Sequence, residues 1–245
     1  MDDTVATLAR TLAGMRAVDL SPRLERGIPR WPTHPHLVID PTVVHAHDGY
    51  FCQTIAMAEH TGSHVDAPAH ICADRMEATI DTFAVDHLVA PAVVYDFADR
   101  NLGPAQTVDA EDLLALEAKQ RVAAGPGDIA LVNFGWLQRH WRVDREAWYY
   151  ARNQPGLSEA AVELLADRRV RAVGLDTIAG ESPLLEGVFT HQAGHDRCWL
   201  PRGILILECL ANLHQLPPSC FFAALPLSIQ GGSGSPVRAV AFVPR

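Results

Sequence analysis

No stretch of this 245-residue chain approaches 18 uninterrupted apolar residues, which argues against a helical membrane span. Long basic runs are missing as well. With a formal net charge of −9, the chain does not carry the electrostatic footprint of a nucleic-acid binder. The five cysteines (Cys52, Cys72, Cys198, Cys209 and Cys220) are odd in number and scattered, and none forms a CxxC pair. That argues against a disulfide framework or a cysteine-based zinc site, and the thiols read as reduced, packed residues of a cytoplasmic protein. Cys72, two residues beyond His70, reads as packing too. Met1-Asp2-Asp3-Thr4 is acidic and lacks the basic and apolar regions of a secretory signal. Repeats and low-complexity tracts are absent. Gln230 to Pro236 (QGGSGSP) is a Gly/Ser cluster, but it lacks the GKS/T ending of a phosphate loop and a strand-like run follows it. It reads as a tight turn between strands or a backbone wall near a site.

What the chain does have is apolar content, 48% of its residues, enough to bury a core in one domain spanning 1–245. Short Val- and Ile-rich runs at 92–97, 129–134, 170–175, 204–209, 221–227 and 237–243 lie near Gly, Pro or Asp and predict buried strands. Residues 4–16 have helical composition and precede a short strand at 18–22. Residues 109–122 and 158–168 also predict helices, the second with Ser158 as its N-cap. Residues 28–35 are proline-dense and predict an irregular loop carrying Trp31, either a packing residue or part of a pocket wall. Strands outnumber helices, and helices fall between some of them, as in an α/β or α+β domain with mixed sheets.

The densest chemistry lies in His60-Thr61-Gly62-Ser63-His64-Val65-Asp66-Ala67-Pro68-Ala69-His70, which packs three imidazoles and a carboxylate into eleven residues. Imidazole nitrogen and carboxylate oxygen are ligands for divalent metals, so hydrolytic chemistry leads. In a flat strand the Cα atoms of His60 and His64 would stand roughly 13 Å apart, too far for two rings to share an ion. A helix is disfavoured by Gly62 and Pro68. The segment therefore predicts a kinked strand or loop, bent at Gly62. His64 and Asp66 can reach one centre from the same side, and Asp66 has two oxygens with which to bridge two ions. Pro68 stiffens the exit toward His70, a position suited to a general acid/base. With twelve histidines in the chain, a single pair would carry little weight, whereas four potential ligands at this spacing favour a site.

The remaining ligands must come from elsewhere, and the candidates are His191, His195, Asp196 and Glu208. Glu208 ends the apolar run 203–207, where an unpaired carboxylate would be costly to bury. The alternative for Glu208 is a salt bridge to Arg197 or Arg202.

These residues resemble the cyclase-like metal-dependent hydrolases, which include bacterial kynurenine formamidases and isatin hydrolases. The hallmark H-x-G-[T/S]-H-x-D-x-P-x-H is met by His60 through His70, with Ser63 at the Thr/Ser position. Asp19-Leu20-Ser21, Trp31-Pro32, Gly174-Leu175-Asp176, Glu208 to Leu213, Ala224 to Leu227 and Gly232 to Arg238 are similar to family segments in family order. The resemblance implies a swivelling β/β/α fold, a homodimer or higher oligomer, and one or two divalent ions, zinc or manganese. It also implies that His60, His64, Asp66 and Glu208 bind metal and that His70 is the acid/base. Two departures stand out. The family places a histidine twelve residues before the glutamate, where this chain has Asp196; His195 stands at thirteen and is preferred as the ligand, with Asp196 and His191 as alternatives. Cys209 stands where many relatives have Asn.

The expected activity is hydrolysis of an aryl formamide, such as N-formylkynurenine, or of a cyclic amide, such as isatin. Trp31 is the candidate substrate contact, with Phe51, Trp136 and Phe189 as further possible pocket walls. An insertion between Trp136 and Pro155 is expected to reshape the pocket. Lactone or carbamate hydrolysis, a biosynthetic cyclisation or dehydration, and a catalytically silent metal-binding regulator are the competing readings.

Overall fold

A computed structural model describes residues 3–245; Met1 and Asp2, part of the acidic N-terminal stretch, lie outside the described residues. Nine strands form one mixed sheet: Met15–Asp19 (β1), His64–Asp66 (β2), Val89–Asp96 (β3), Ile129–Asn133 (β4), Ala172–Leu175 (β5), Leu205–Glu208 (β6), Ser219–Ala223 (β7), Gly234–Pro236 (β8) and Val240–Pro244 (β9). Their spatial order is β1-β9-β7-β3-β4-β5-β6-β2-β8. The four central strands β3 to β6 run parallel, and the strands on both flanks pair antiparallel. This curled mixed sheet with flanking helices is the α/β architecture expected from the sequence.

The central strands are buried on both faces, which is why they read as unbroken apolar runs. Side-chain alternation sorts them between two clusters. Ala92 and Val94 of β3, Ile129 and Leu131 of β4, and Leu205 and Leu207 of β6 enter one cluster. Val93 and Tyr95, Ala130 and Val132, and Ile206 enter the other, together with the helices. Helix Asp3–Ala13 (α1) buries none of its side chains, whereas Ala110–Gln120 (α2) and Glu159–Asp167 (α5) cover the sheet between parallel strands. Helix α2 opens with a reciprocal capping box between Asp109 and Asp112. The expected Ser158 cap is present at α5, accepting from the Ala161 N–H at 3.2 Å. Two short helices, Trp136–His140 (α3) and Ala147–Arg152 (α4), lie between β4 and α5.

The His60–His70 segment bends through Gly62 at φ 65°, runs straight for the three residues of β2, and turns again at Pro68–His70. A Cβ on Gly62 would lie 2.6 Å from Leu24 Cδ2, the end of an exposed side chain that can move aside, so it is chiefly the backbone angle that requires glycine there. The run expected at 221–227 forms its strand earlier and leaves the ladder after Ala223; Pro226 has no N–H with which to continue it. The Gly/Ser cluster supplies more than a turn. Its last residues form β8, which pairs Gly234 with Asp66 and Pro236 with His64.

Candidate active site and metal centre

Strand parity assembles the site. Val65 enters the apolar cluster on one face, so His64 and Asp66 project from the opposite face. Antiparallel register sets His64 opposite Glu208 and Asp66 opposite Ile206. The result is a buried group in which Asp66 is 1% and Glu208 4% exposed. His64 Nε2 lies 3.4 Å from Asp66 Oδ1 and 3.3 Å from Glu208 Oε2. His195 Nε2 lies 3.7 Å from Asp66 Oδ2 and 3.5 Å from Glu208 Oε1. Each carboxylate thus turns one oxygen to each imidazole.

His195 is the member of the distal trio that faces this cluster; Asp196 is exposed and His191 half-buried outside the cavity lining. Gly194–Cys198 forms a π-helical turn, closed by the Trp199 N–H on the Gly194 carbonyl at 2.8 Å. A π turn holds one residue more than an α turn, and it accommodates the thirteen-residue spacing from His195 to Glu208. The salt-bridge alternative for Glu208 fails, because Arg197 pairs with Glu159 and Arg202 with Asp167.

His60 also reaches Asp66, with Nδ1 2.6 Å from Oδ1, but its other nitrogen meets Ser233 Oγ at 2.9 Å. The Ser233 hydroxyl in turn donates to Glu59 at 2.7 Å. His70 stands beyond, its ring 4.0 Å from that of His60 and 6.4 Å from that of His195. His60, Asp66 and His70 form one grouping of metal-ligand type; His64, Asp66 and Glu208 form another.

The electrostatics of the cluster favour positive charge within it. Burial opposes a charge on His64, but Asp66 and Glu208 outweigh it and push the imidazole up to about 9. Burial likewise opposes charge on His195, and Glu181, Asp66 and Glu208 overcome it. Burial also works against ionisation of Asp66, yet His60 and His64 hold it well below 3.8. His70 differs: burial dominates and brings it down to about 4, leaving a neutral imidazole near pH 7.

The donor set fits a divalent ion. Two ligand atoms each about 2.0–2.2 Å from one tetrahedral centre stand about 3.3–3.6 Å apart, close to the 3.4 and 3.3 Å from His64 Nε2 to Asp66 Oδ1 and Glu208 Oε2, while His195 approaches the other oxygen of each carboxylate. A Cβ on Gly180, at φ 49°, would come within 2.9 Å of His195 Cε1 and 3.2 Å of Glu208 Oε1, so a glycine keeps the cradle open.

A cavity of about 310 Å³ opens above the cluster. Trp31 and Phe189 form one wall, stacked with centroids 5.5 Å apart and an 8° interplanar angle. Trp31 comes from the proline-dense loop, and Phe189 from the small hairpin Leu184–Leu185/Val188–Phe189. His34, Ile71, Ile178, Ala179 and Gln192 also line the cavity. Phe51 is exposed and Trp136 belongs to the core, so neither walls it. No residue of 136–155 lines it directly. That segment folds instead into α3 and α4, which pack on each other. Its Gln154 acts from behind, as described below.

Glu181 and Gln154 are site-supporting residues that sequence reasoning missed. Glu181 is 0% exposed and bonds to His195. The one available signal was a carboxylate between Gly180 and Ser182-Pro183 with no local cationic partner.

A buried His/Asp/Glu cluster beneath an aromatic-walled cavity is the kind of site at which a divalent ion could activate water. The chain belongs to the cyclase family: the family model described as "Putative cyclase" matches residues 18–182. An isatin hydrolase of Roseibium aggregatum is 30% identical over 203 residues, covering 78% of this chain and 74% of the relative. A kynurenine formamidase of Geobacillus thermodenitrificans is 26% identical over 223 residues, covering 91% and 95%. Isatin hydrolase A from Labrenzia aggregata, solved with benzyl benzoate, matches with a TM-score of 0.86 at 26% identity, covering 99% of this chain and 100% of that one. An isatin hydrolase bound to the product analogue thioisatinate matches with a TM-score of 0.83 at 26% identity over 100% of both chains.

Proposed function

We propose that the protein hydrolyses the C–N bond of an aryl formamide or a cyclic aryl amide. The observation that carries this reading is the sharing of Asp66 and Glu208 between His64 and His195, directly beneath the cavity that Trp31 and Phe189 wall. His64, Asp66, His195 and Glu208 would hold a divalent ion, zinc or manganese, with His60 beside Asp66 as a further ligand where two ions are taken up. Such an ion supplies activated water near neutral pH and polarises a carbonyl oxygen. His70, neutral at pH 7, accepts a proton during attack on the carbonyl carbon and returns it to the departing nitrogen. Trp31 and Phe189 hold the flat ring of the substrate and exclude water from that side.

A homodimer or higher oligomer is supported by Tyr50, Phe51 and Ile55, exposed in and beside strand Cys52–Ala56 of an outlying hairpin. A two-stranded hairpin with exposed apolar side chains gains stability by packing on a partner. Five free cysteines favour a reducing, cytoplasmic setting.

The test is metal analysis of the purified protein followed by a hydrolysis screen with isatin, N-formylkynurenine, simple lactones and carbamates. Turnover of an aryl amide that depends on added zinc or manganese supports the proposal. Failure of the metal-free protein to gain either ion or activity would refute it. Retained metal without turnover would favour a silent metal-binding protein.

A further inference from the structure

Glu181 is a fully buried carboxylate, and its contacts converge on one residue. Oε1 accepts from the Gly194 N–H at 2.7 Å and the His195 N–H at 3.2 Å. Oε2 lies 3.0 Å from His195 Nδ1, and the Ser182 hydroxyl donates to Oε1 at 3.3 Å. One side chain therefore grips both the backbone and the ring of His195. A Cβ on Gly194 would lie 2.6 Å from Glu181 Cδ, so that approach requires glycine at 194.

The loop bearing Glu181 is itself held rigid. Gln154, 0% exposed, accepts from the Ile178 and Ala179 N–H groups at 3.0 and 3.1 Å. Its amide nitrogen donates to the Gly180 and Ser182 carbonyls at 3.3 and 2.6 Å. Both ends of that side chain are used against a stretch of five residues, 178–182.

We propose that Glu181 is the positioning residue of the metal centre. By accepting the Nδ1 proton of His195 it fixes the tautomer and leaves the Nε2 lone pair facing the space between Asp66 and Glu208 that an ion would fill. This rests on the reading of those residues as metal ligands. A carboxylate that orients a ligating imidazole in this way affects metal affinity without touching the ion.

Glu181→Gln tests it. The carboxylate accepts at both oxygens, whereas an amide has one acceptor and one donor end. Turned one way, its N–H faces the Gly194 and His195 backbone N–H groups; turned the other, it faces His195 Nδ1 and favours the tautomer whose proton sits on Nε2, where a metal would bind. Zinc titration of the metal-free proteins by calorimetry is expected to show binding about 10- to 100-fold weaker in the variant. In the zinc-loaded wild type, ¹⁵N spectra of labelled histidine should show His195 protonated at Nδ1, and that signature should be lost or shifted in Glu181→Gln. Circular dichroism of the metal-free forms checks the fold. If Glu181→Gln does not fold, Glu181→Asp, which keeps the charge but retracts it from the ring, takes its place with the same expected loss. A folded variant that binds zinc as tightly as wild type, with the His195 signature unchanged, overturns the proposal and leaves the function standing. A wild type that binds no zinc or manganese overturns both.

Discussion

His64 and Glu208 face one another as partners on adjacent antiparallel strands, and their side chains meet at 3.3 Å across the ladder. A register slip of one residue would turn His64 and Asp66 into the apolar cluster that Val65 occupies. The same pairing that builds the sheet therefore sets the geometry of the site.

Glu208→Gln keeps the shape of that partner and removes its charge. Bound metal, measured by elemental analysis, should fall below the wild-type stoichiometry. Hydrolytic kcat/KM should drop at least about 100-fold.

His70→Ala separates acid/base chemistry from ion binding. Metal content should persist, because His64, Asp66, His195 and Glu208 remain. The turnover number is expected to fall roughly 10²- to 10⁴-fold. Equal losses of metal and turnover would instead make His70 a ligand in the grouping it forms with His60 and Asp66.

Trp31→Ala and Phe189→Ala each remove one half of the stacked wall. Loss of an aromatic contact of about 0.5–1.5 kcal/mol corresponds to a rise in KM of roughly 2- to 10-fold, with kcat nearly unchanged. Steady-state kinetics on an aryl amide reads the split directly.

Gly62→Ala should destabilise the fold by roughly 1–2 kcal/mol from its left-handed backbone alone, with an added cost from the approach to Leu24. Leu24→Ala in the same chain should recover the steric part and leave the backbone part. Chemical denaturation of the single and double variants measures both.

The hydrogen-bonded Arg238 guanidinium holds the Asp19 carboxyl below its ordinary 3.8. A lowered folded-state value adds stability above the unfolded value, and that stability is lost as pH falls through the folded one. Wild type should therefore melt slightly above Asp19→Asn at pH 7, and the gap should close as the pH falls below 3.8. Thermal melts from pH 7 down to about 3 would show the convergence.

The central strands were legible because burial on two faces leaves an unbroken apolar run, and α5 because Ser158 caps it. The local cluster of potential ligands was legible because its donors lie within eleven residues, with Gly62 marking the bend. What sequence could not show depends on tertiary contact. Glu181 lies 14 residues from His195, and nothing in their spacing says that they touch. Phe189 was among the candidate pocket walls, but its stacking on Trp31 joins a hairpin to a loop with no sequence pattern in common. The segment 136–155 was expected to reshape the pocket, and its Gln154 holds the cavity-lining Ile178 and Ala179 from behind, a contact that no local pattern announces.

The strand that carries His64 and Asp66 has neighbours at 205–208 and 234–236. During synthesis it would therefore wait, without either partner, until nearly the whole polypeptide had emerged. Contacts of such long sequence separation are among the slower ones to form. Assembly of the metal pocket is thus expected to come late in folding, and ion capture to report on a chain whose C-terminal strands have already closed. A stalled or truncated chain ending before residue 205 would carry the whole histidine motif yet lack β6 and β8.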